Sequence, residues 1–326
     1  MRLYFLIFTI HFSYVLLSQI GGVNTNSYLN LNTSPRIISL GGYVNVLDDD
    51  LNVGVFNPSL INSSMLGQVS TNFTNYYSDI FYGDFSYCFN FLKNNIITNI
   101  KYVDYGSFVL TDEFSNELGA YSAAEYVLTC GFNKELNSNI YLGVNGKIAY
   151  SSMYLYNSLS VLLDFGFSYT FNEKDMIASL LVRNIGHQID TYQSDSYESL
   201  PFELIIGISN KLAHVPIRWY LNLQHLESPI LSYDYVIENN FFSEILRHVV
   251  FGTEFLIHDN FNLFVGYNNR KRSEMIIQDR RELVGFSYGI VFKIKRFSFF
   301  YSRSIAQISG GISTFGITTN FNKIVQ

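Results

Sequence analysis

Residues 161–170 read VLLDFGFSYT, and this stretch decides the fold. From Val161 to Tyr169 every second residue is apolar. Because successive side chains of a β-strand point to opposite faces, such a stretch has one apolar face and one polar face. The same alternation recurs at 140–150 and 284–294, with many aromatic residues at the segment ends. This repetition is typical of a membrane β-barrel, whose outer surface contacts lipid and whose lumen is polar.

Alternation and turn signals together predict an all-β fold, a transmembrane antiparallel barrel of about fourteen strands. The predicted strands lie near 68–77, 80–92, 95–108, 122–135, 139–152, 158–171, 176–189, 201–213, 217–227, 246–258, 260–272, 283–295, 297–308 and 312–321. The connections after even-numbered strands are short, whereas every long one follows an odd-numbered strand. Short turns on the periplasmic side and longer outer loops predict an outer-membrane protein with both termini periplasmic.

The first 18 residues predict a secretory signal peptide, with Arg2 before an apolar run and the small residue Ser18 at its end. An uncleaved anchor is the alternative, although the run is short for a spanning helix. We expect residues 19–67 to form an N-terminal plug or hatch segment, 68–321 the barrel and 322–326 a periplasmic tail.

Composition fits a barrel better than a helical membrane protein. Hydrophobic residues make up 48% of the chain and the mean hydropathy is +0.12, which lies between soluble and helical membrane proteins. The 25 Tyr and 29 Phe residues suit aromatic girdles at two bilayer interfaces. The net charge of -6 argues against a nucleic-acid partner.

The polar faces of the predicted strands carry charges of both signs, which implies ion pairs inside the lumen because buried charges need partners. These residues are Asp84, Lys101, Lys147, Asp164, Arg183, Glu203, Arg218 and Glu254. Apolar pieces within 19–67 would be buried if that segment folded into the lumen. A plugged lumen is therefore favoured over an open channel.

The sequence predicts no catalytic or metal site, no cofactor and no enzymatic activity. Cys88 is placed toward the lumen and Cys130 toward lipid, so a disulfide between them is not expected. His248 has no predicted nucleophile beside it and is interpreted as structural. The run Asp48 to Asp50 lacks the spaced carboxylates of a calcium loop and is interpreted as a solvated turn.

An ordered set of short motifs resembles the PorQ family along almost the whole mature chain. The motifs are NLNTSPR at 30–36, LGG at 40–42, DDD at 48–50, FNPS at 56–59, NFTNY at 72–76, YVDYG at 102–106, RNIG at 183–186, LPFE at 200–203, LRHVVFG at 246–252 and GYN at 266–268. Any one of them is weak, whereas the set in this order is more specific.

The resemblance implies a component of the type IX secretion system with the fourteen-stranded FadL-like architecture. It also implies that the protein anchors a PorZ-like surface partner in the complex that attaches cargo to lipopolysaccharide. An Asn-Pro-Ala element lies in the hatch of the wider FadL-like group. Here Asn57 and Pro58 match it, and Ser59 replaces the alanine, which weakens any transfer of ligand binding to this place.

The predicted outer loops differ in charge. Most are acidic, whereas one contains the basic residues Arg270, Lys271, Arg272, Arg280 and Arg281. Pairing with neighbouring loops or lipopolysaccharide phosphates is one interpretation, and docking of the partner is the other. The first functional hypothesis is therefore a non-enzymatic anchor of type IX secretion. The alternative is a FadL-like transporter of hydrophobic small molecules, and a general porin comes third.

Overall fold

A computed structural model describes residues 24–78, 80–171, 175–193, 196–231, 241–275, 283–307 and 310–321. In these residues fourteen antiparallel strands form a closed barrel, in which each strand pairs with its chain neighbours and β14 pairs with β1. The strands are β1 (Gln68–Asn75), β2 (Phe81–Phe91), β3 (Asn94–Thr111), β4 (Glu117–Asn137), β5 (Ile140–Met153), β6 (Tyr156–Phe171), β7 (Met176–Asp190), β8 (Glu203–Lys211), β9 (Ile217–Leu223), β10 (Val249–His258), β11 (Phe261–Asn268), β12 (Phe286–Ile294), β13 (Phe297–Gln307) and β14 (Gly310–Asn320). A search of the described helices finds none long and apolar enough to cross a membrane.

The predicted fold class, strand number and strand order are confirmed. Several predicted strands are too long at the end that faces a long loop: the strand predicted at 217–227 ends at Leu223, and the one predicted at 283–295 begins at Phe286. Residues 246–248 end a helix, α3 (Phe241–His248), and residues 269–272 begin another, α4 (Asn269–Met275). His248 is buried, and its Nδ1 lies 2.8 Å from the carbonyl oxygen of Gln224. It therefore has a structural partner, as expected.

We call the end of the barrel where β1 begins the near end and the opposite end the far end. The barrel wall is uneven at the far end, because β3 and β4 have 18 and 21 residues whereas β9 has seven. Beyond the pairs Asp104 with Phe81 and Ala123 with Met153, the β3–β4 hairpin has no neighbouring strand. This part of the hairpin therefore projects past the wall.

Side chains alternate between the two faces of the wall as the sequence predicts. In β6 the inward residues Ser160, Leu162 and Asp164 are buried, whereas the outward Val161 and Leu163 are exposed. Cys88 is buried and Cys130 is exposed on the outer face, and both are free thiols. The outer surface is thus a continuous apolar band, as contact with lipid requires.

The segment 24–67, which we call the hatch, lies against the inner face of the wall. It contains two short helices, α1 (Pro35–Ser39) and α2 (Leu51–Phe56), and three 3₁₀ turns (Ser27–Asn30, Pro58–Leu60 and Ser63–Met65). α1 contacts β11 to β14, and α2 contacts β1 to β4. The two hatch helices therefore contact neighbouring parts of the wall, which meet where β14 pairs with β1.

The two ends of the described chain lie at opposite ends of the barrel. The first described residue, Asn24, pairs with Ser199 beside the far part of β7. The Phe321 amide instead donates to the Gly67 carbonyl at the near end. The hatch thus runs through the lumen from the far end to β1. The predicted signal peptide at 1–18 and the predicted tail at 322–326 lie outside the described residues, so the periplasmic placement of both termini stays a prediction.

Asp48 and Asp49 are exposed in a bend of the hatch, as the sequence suggested, whereas Asp50 is buried. The Asp50 side chain accepts a hydrogen bond of 2.9 Å from the Asn52 amide and caps α2. The Asp49 carboxylate pairs with the guanidinium groups of Arg36, at 2.9 Å, and Arg218, at 3.2 Å. Because Arg36 lies in the hatch and Arg218 lies in β9, the Asp49 carboxylate links the hatch to the wall.

Glycine on the inner wall allows close approach of the hatch. A Cβ on Gly143 would overlap the Pro58 carbonyl group, and one on Gly166 would overlap the Asn57 side-chain oxygen. Other inward glycines meet the hatch in the same way; they are Gly252, Gly266, Gly289 and Gly316. A side chain at these places would have to displace the hatch.

Candidate functional site

The inner wall contains the ion pairs that the sequence predicts. The Lys147 ammonium lies 2.6 Å from the Asp164 carboxylate, and Arg183 lies 2.8 Å from Glu203. These four side chains are almost completely buried. Because each charge has a close partner of opposite sign, the pairs keep the lumen polar without leaving an isolated charge.

A third group of charges joins the hatch to the wall. Arg36, on α1, donates two hydrogen bonds of 2.9 Å to the Glu254 carboxylate. The Tyr220 hydroxyl donates to the same carboxylate at 2.7 Å, and the Arg36 guanidinium lies 5.6 Å from the centre of the Phe264 ring. The sequence identified Glu254 but not Arg36, because the hatch has no strand periodicity from which the direction of a side chain could be deduced.

Lys101 holds the first turn of the hatch. Its ammonium donates hydrogen bonds of 2.7 Å to the Tyr28 carbonyl and 2.6 Å to the Leu31 carbonyl. Arg183 also contacts the hatch, with its guanidinium 4.3 Å from the centre of the Phe56 ring. Two inward cations of the wall thus position the hatch as well as balancing charge.

The predicted hatch element lies at the inner wall of β5 and β6. Asn57 donates from its side chain to the Asn45 carbonyl at 2.8 Å and accepts from the Ser59 amide at 3.1 Å. The Ser59 hydroxyl also donates to the Asn57 side chain, at 2.8 Å. Pro58 begins a 3₁₀ turn. These bonds fold the hatch locally; ligand binding at Asn57 and Pro58 stays a prediction.

The described part of the basic loop lies in α4. Arg270 pairs with Glu274 at 2.6 Å, and Arg272 donates to the Val284 carbonyl at 3.3 Å. Burial lowers the pKa of the Lys271 ammonium. These three side chains are half-buried, so they offer less free charge than the sequence suggested. Arg280 and Arg281 lie outside the described residues, and docking at this loop stays a prediction.

An apolar cluster occupies the lumen toward the far end. Its buried members come from the hatch and from β2 to β6, and half-buried Leu31, Tyr105 and Leu200 pack against them. The buried members are Tyr28, Leu29, Tyr82, Val103, Val127, Ala149 and Leu162. A cavity of about 60 Å³ adjoins it, and both apolar residues, such as Leu29 and Val127, and the charged residues Lys101 and Asp84 line it. An apolar environment inside a polar lumen is suited to a hydrophobic ligand.

The wall beside this cluster lacks part of its ladder. The last β7 residue paired with β8 is Arg183, opposite Glu203. Beyond it, the β7 residues that have a strand partner pair with β6 alone. Segment 196–202 fills the place of the missing strand and is held by side chains. Asn184 donates to the Pro201 carbonyl at 2.8 Å, and Gln188 accepts from the Glu198 amide at 2.8 Å. We call this place the β7–β8 gap.

The hatch covers the β7–β8 gap from the inside. The Thr25 amide donates to the Ser199 carbonyl at 3.0 Å, and the Asn184 side chain donates to that of Asn30 at 3.0 Å. Asn184 has a φ of 62°, which allows the chain to bulge at this point. Sequence alternation could not reveal the gap, because residues 184–190 read like any other strand.

Solved structures of known proteins share this fold. The Pseudomonas putida toluene transporter TodX matches with a TM-score of 0.55 at 11% identity, over 88% of this chain and 96% of that one. The Ralstonia pickettii toluene transporter TbuX matches with a TM-score of 0.52 at 9% identity, over 90% and 100%. A Pseudomonas aeruginosa FadL homologue has a TM-score of 0.48 at 9% identity, over 89% and 98%.

The fold is that of the TodX and TbuX barrels. At these identities the similarity concerns the fold alone. No protein-family model matches the chain, and no curated protein does. The finer resemblance to PorQ thus rests on the sequence motifs by themselves.

Proposed function

We propose that the protein is a non-enzymatic outer-membrane barrel that passes small hydrophobic molecules across the membrane. The observation that carries this proposal is the β7–β8 gap, which lies beside an apolar cluster inside the lumen. The TodX and TbuX barrels are toluene transporters, and their fold is shared. This transport role was the alternative in the sequence analysis, and it now has more support than anchoring.

The β7–β8 gap offers a lateral route. In a complete wall, a molecule could leave the lumen sideways only if ladder hydrogen bonds broke along two strands. Here side-chain bonds from Asn184 and Gln188 replace the ladder, so segment 196–202 can move without disrupting β7. The cavity of about 60 Å³ is smaller than the ~150 Å³ of an engineered cavity that binds benzene. Passage therefore requires the first turn of the hatch to shift.

Filling the apolar cluster tests transport. Ala149 points inward and is buried in the cluster, whereas its neighbour Ile148 points outward. Replacing Ala149 with Trp is expected to reduce the initial rate of radiolabelled toluene uptake by cells at least fivefold. The matched control Ile148→Trp adds an indole on the lipid side and should retain native uptake. Equal uptake by cells with and without the native protein would refute the proposal.

Anchoring of a surface partner in type IX secretion is a second candidate function. It is supported by the ordered PorQ-like motifs and by the projecting β3–β4 hairpin. Val109, Phe114 and Leu118 on this hairpin are more than half exposed, at 59%, 84% and 63%. The Asp112 carboxylate accepts bonds from the Phe114 and Asn116 amides, at 2.9 and 2.8 Å, which fixes the turn at its tip.

Affinity purification from the native envelope tests anchoring. A PorZ-like surface protein and other type IX components should co-purify with the detergent-solubilised chain. Serine at Arg270, Lys271, Arg272, Arg280 and Arg281 should release that partner if the basic loop is the docking surface, and serine at Phe114 should do so if the hairpin is. A barrel that purifies without any type IX component would refute this candidate.

A further inference from the structure

Glu125 is a buried carboxylate at the far edge of the apolar cluster. It lies on the inner face of β4, opposite Ser151 of β5, and is 3% exposed. The Tyr105 hydroxyl donates to one carboxylate oxygen at 2.6 Å, and the Ser151 hydroxyl donates to the other at 3.1 Å. Each oxygen can accept a further hydrogen bond.

The charge of Glu125 has no ionic partner in the described part of the chain. Within those residues, no nitrogen of lysine, arginine or histidine lies within 4.0 Å of it. Asp164, Glu203 and Glu254 each have such a partner. Asp84 also has none, but Asn72, Asn99 and Ser86 all donate to it. Burying a charge without a partner is costly, so Glu125 is suited to a cation that comes from outside the chain.

Lys101 does not serve as that partner. Its ammonium donates to the carbonyls of Tyr28 and Leu31 and so holds the hatch. Moving it toward Glu125 would leave these buried carbonyls without a donor, which costs free energy. The ionic partner of Glu125 is therefore not expected to come from this lysine.

Tyrosine side chains lie near the Glu125 carboxylate, and the hydroxyl of Tyr105 contacts it. The Tyr28 hydroxyl is buried and has no hydrogen-bond partner among the described residues. Burial, followed by the nearby charge of Glu125, raises the pKa of that hydroxyl. Burial is also the main cause of the raised pKa of Tyr192, to which the charge of Glu125 adds. Tyr105 and Tyr192 are half-buried. Because the face of an aromatic ring attracts cations, such rings recognise substituted ammonium groups.

An apolar surface continues from the carboxylate into the lumen. Val127 follows Glu125 on the inner face of β4, and Ala149 lies opposite Val127 on β5. A ligand with its positive group at Glu125 would thus place its apolar part against the cluster. The charge and the apolar surface are adjacent along one wall.

We propose that this site selects hydrophobic molecules that carry one ammonium group. Glu125 supplies the negative charge, the rings of Tyr28, Tyr105 and Tyr192 surround the ammonium, and the apolar cluster holds the rest of the ligand. This substrate class rests on the proposed transport function and makes it specific.

Two probes of equal shape test the inference. Benzyltrimethylammonium and neopentylbenzene differ in one atom, a charged nitrogen in place of carbon. Calorimetry on the detergent-solubilised full chain, corrected for binding to empty micelles, should give at least tenfold tighter binding of the cation. Glu125→Gln should weaken binding of the cation at least tenfold and leave that of the neutral probe unchanged.

Control variants separate the possible outcomes. Glu117→Gln changes an exposed carboxylate of the same strand and should leave both affinities unchanged. If Glu125→Gln does not insert, Tyr28→Leu should reduce the preference for the cation several-fold. Equal affinity of the native protein for both probes would overturn the ammonium site and leave transport intact. Binding of neither probe would count against both.

Discussion

Single residues decide how close the hatch comes to the wall. Gly143 faces the carbonyl group of Pro58, and there is no space for a side chain between them. Gly146, three residues later in the same strand, points away from the hatch, and a Cβ there would meet only the Cys130 carbonyl oxygen at 4.0 Å. The two glycines have different surroundings, and the sequence alone does not show which of them contacts the hatch.

We therefore predict that Gly143→Ala destabilises the protein and Gly146→Ala does not. The new methyl group must displace backbone of the hatch, and such overpacking typically costs about 1–3 kcal/mol. Thermal unfolding in detergent should show a lower midpoint for Gly143→Ala, and limited proteolysis should cut its hatch faster. The same midpoint in both variants would contradict the close packing.

At this scale the sequence identified the inward charges correctly but not all of their partners. Strand parity placed Lys147, Asp164, Arg183 and Glu203 on one face, and the structure pairs them. It could not supply Arg36, the hatch partner of Glu254, because that contact joins residues 218 positions apart. Long-range partners depend on the path of the chain, which periodicity does not contain.

Among the elements, the hatch depends on a few polar contacts with the wall. Its first turn, at Ser27–Asn30, is held by the ammonium of Lys101, which also lines the cavity of about 60 Å³ beside the apolar cluster. Since the proposed route requires this turn to shift, Lys101 sets the free-energy cost of opening it.

Lys101→Met should loosen the first turn of the hatch. The substitution keeps an unbranched side chain but removes the donor from the Tyr28 and Leu31 carbonyls, each worth about 1–3 kcal/mol when left buried and unpaired. Hydrogen–deuterium exchange should become faster in peptides that cover residues 24–34. Lys134→Met, at an exposed position of β4, should leave that exchange unchanged. Protection equal to the native level in Lys101→Met would contradict the role of Lys101.

Elements inside the wall could be predicted from the sequence, whereas those beyond it could not. Alternation predicts all fourteen strands, but it also assigns residues 246–248 to a strand, and this assignment is wrong because they belong to α3. The spacing of Phe242, Ile245 and Leu246 is helical and would have indicated α3. Interrupted pairing, as in the β7–β8 gap, has no signature in a single strand.

For the whole molecule, the two native cysteines report on which surface faces lipid. Cys130 lies on the outer face and Cys88 on the inner face. In protein reconstituted into bilayers, a lipid-soluble maleimide should label Cys130, and a membrane-impermeant charged reagent should label neither thiol. Cys130→Ser should abolish the label. Reaction of Cys88 in the folded protein would contradict the assignment of the two faces.

The close contact between hatch and wall also has a consequence for assembly. Hatch segments touch strands from both the first and the last part of the chain, including β1, β6 and β14. With glycine at the contact points, a barrel that had already closed would offer little space for a hatch to thread in afterwards. The N-terminal segment should therefore be in place first, so that the strands wrap around it during insertion. Barrels made without residues 24–67 should then close slowly or into the wrong circumference.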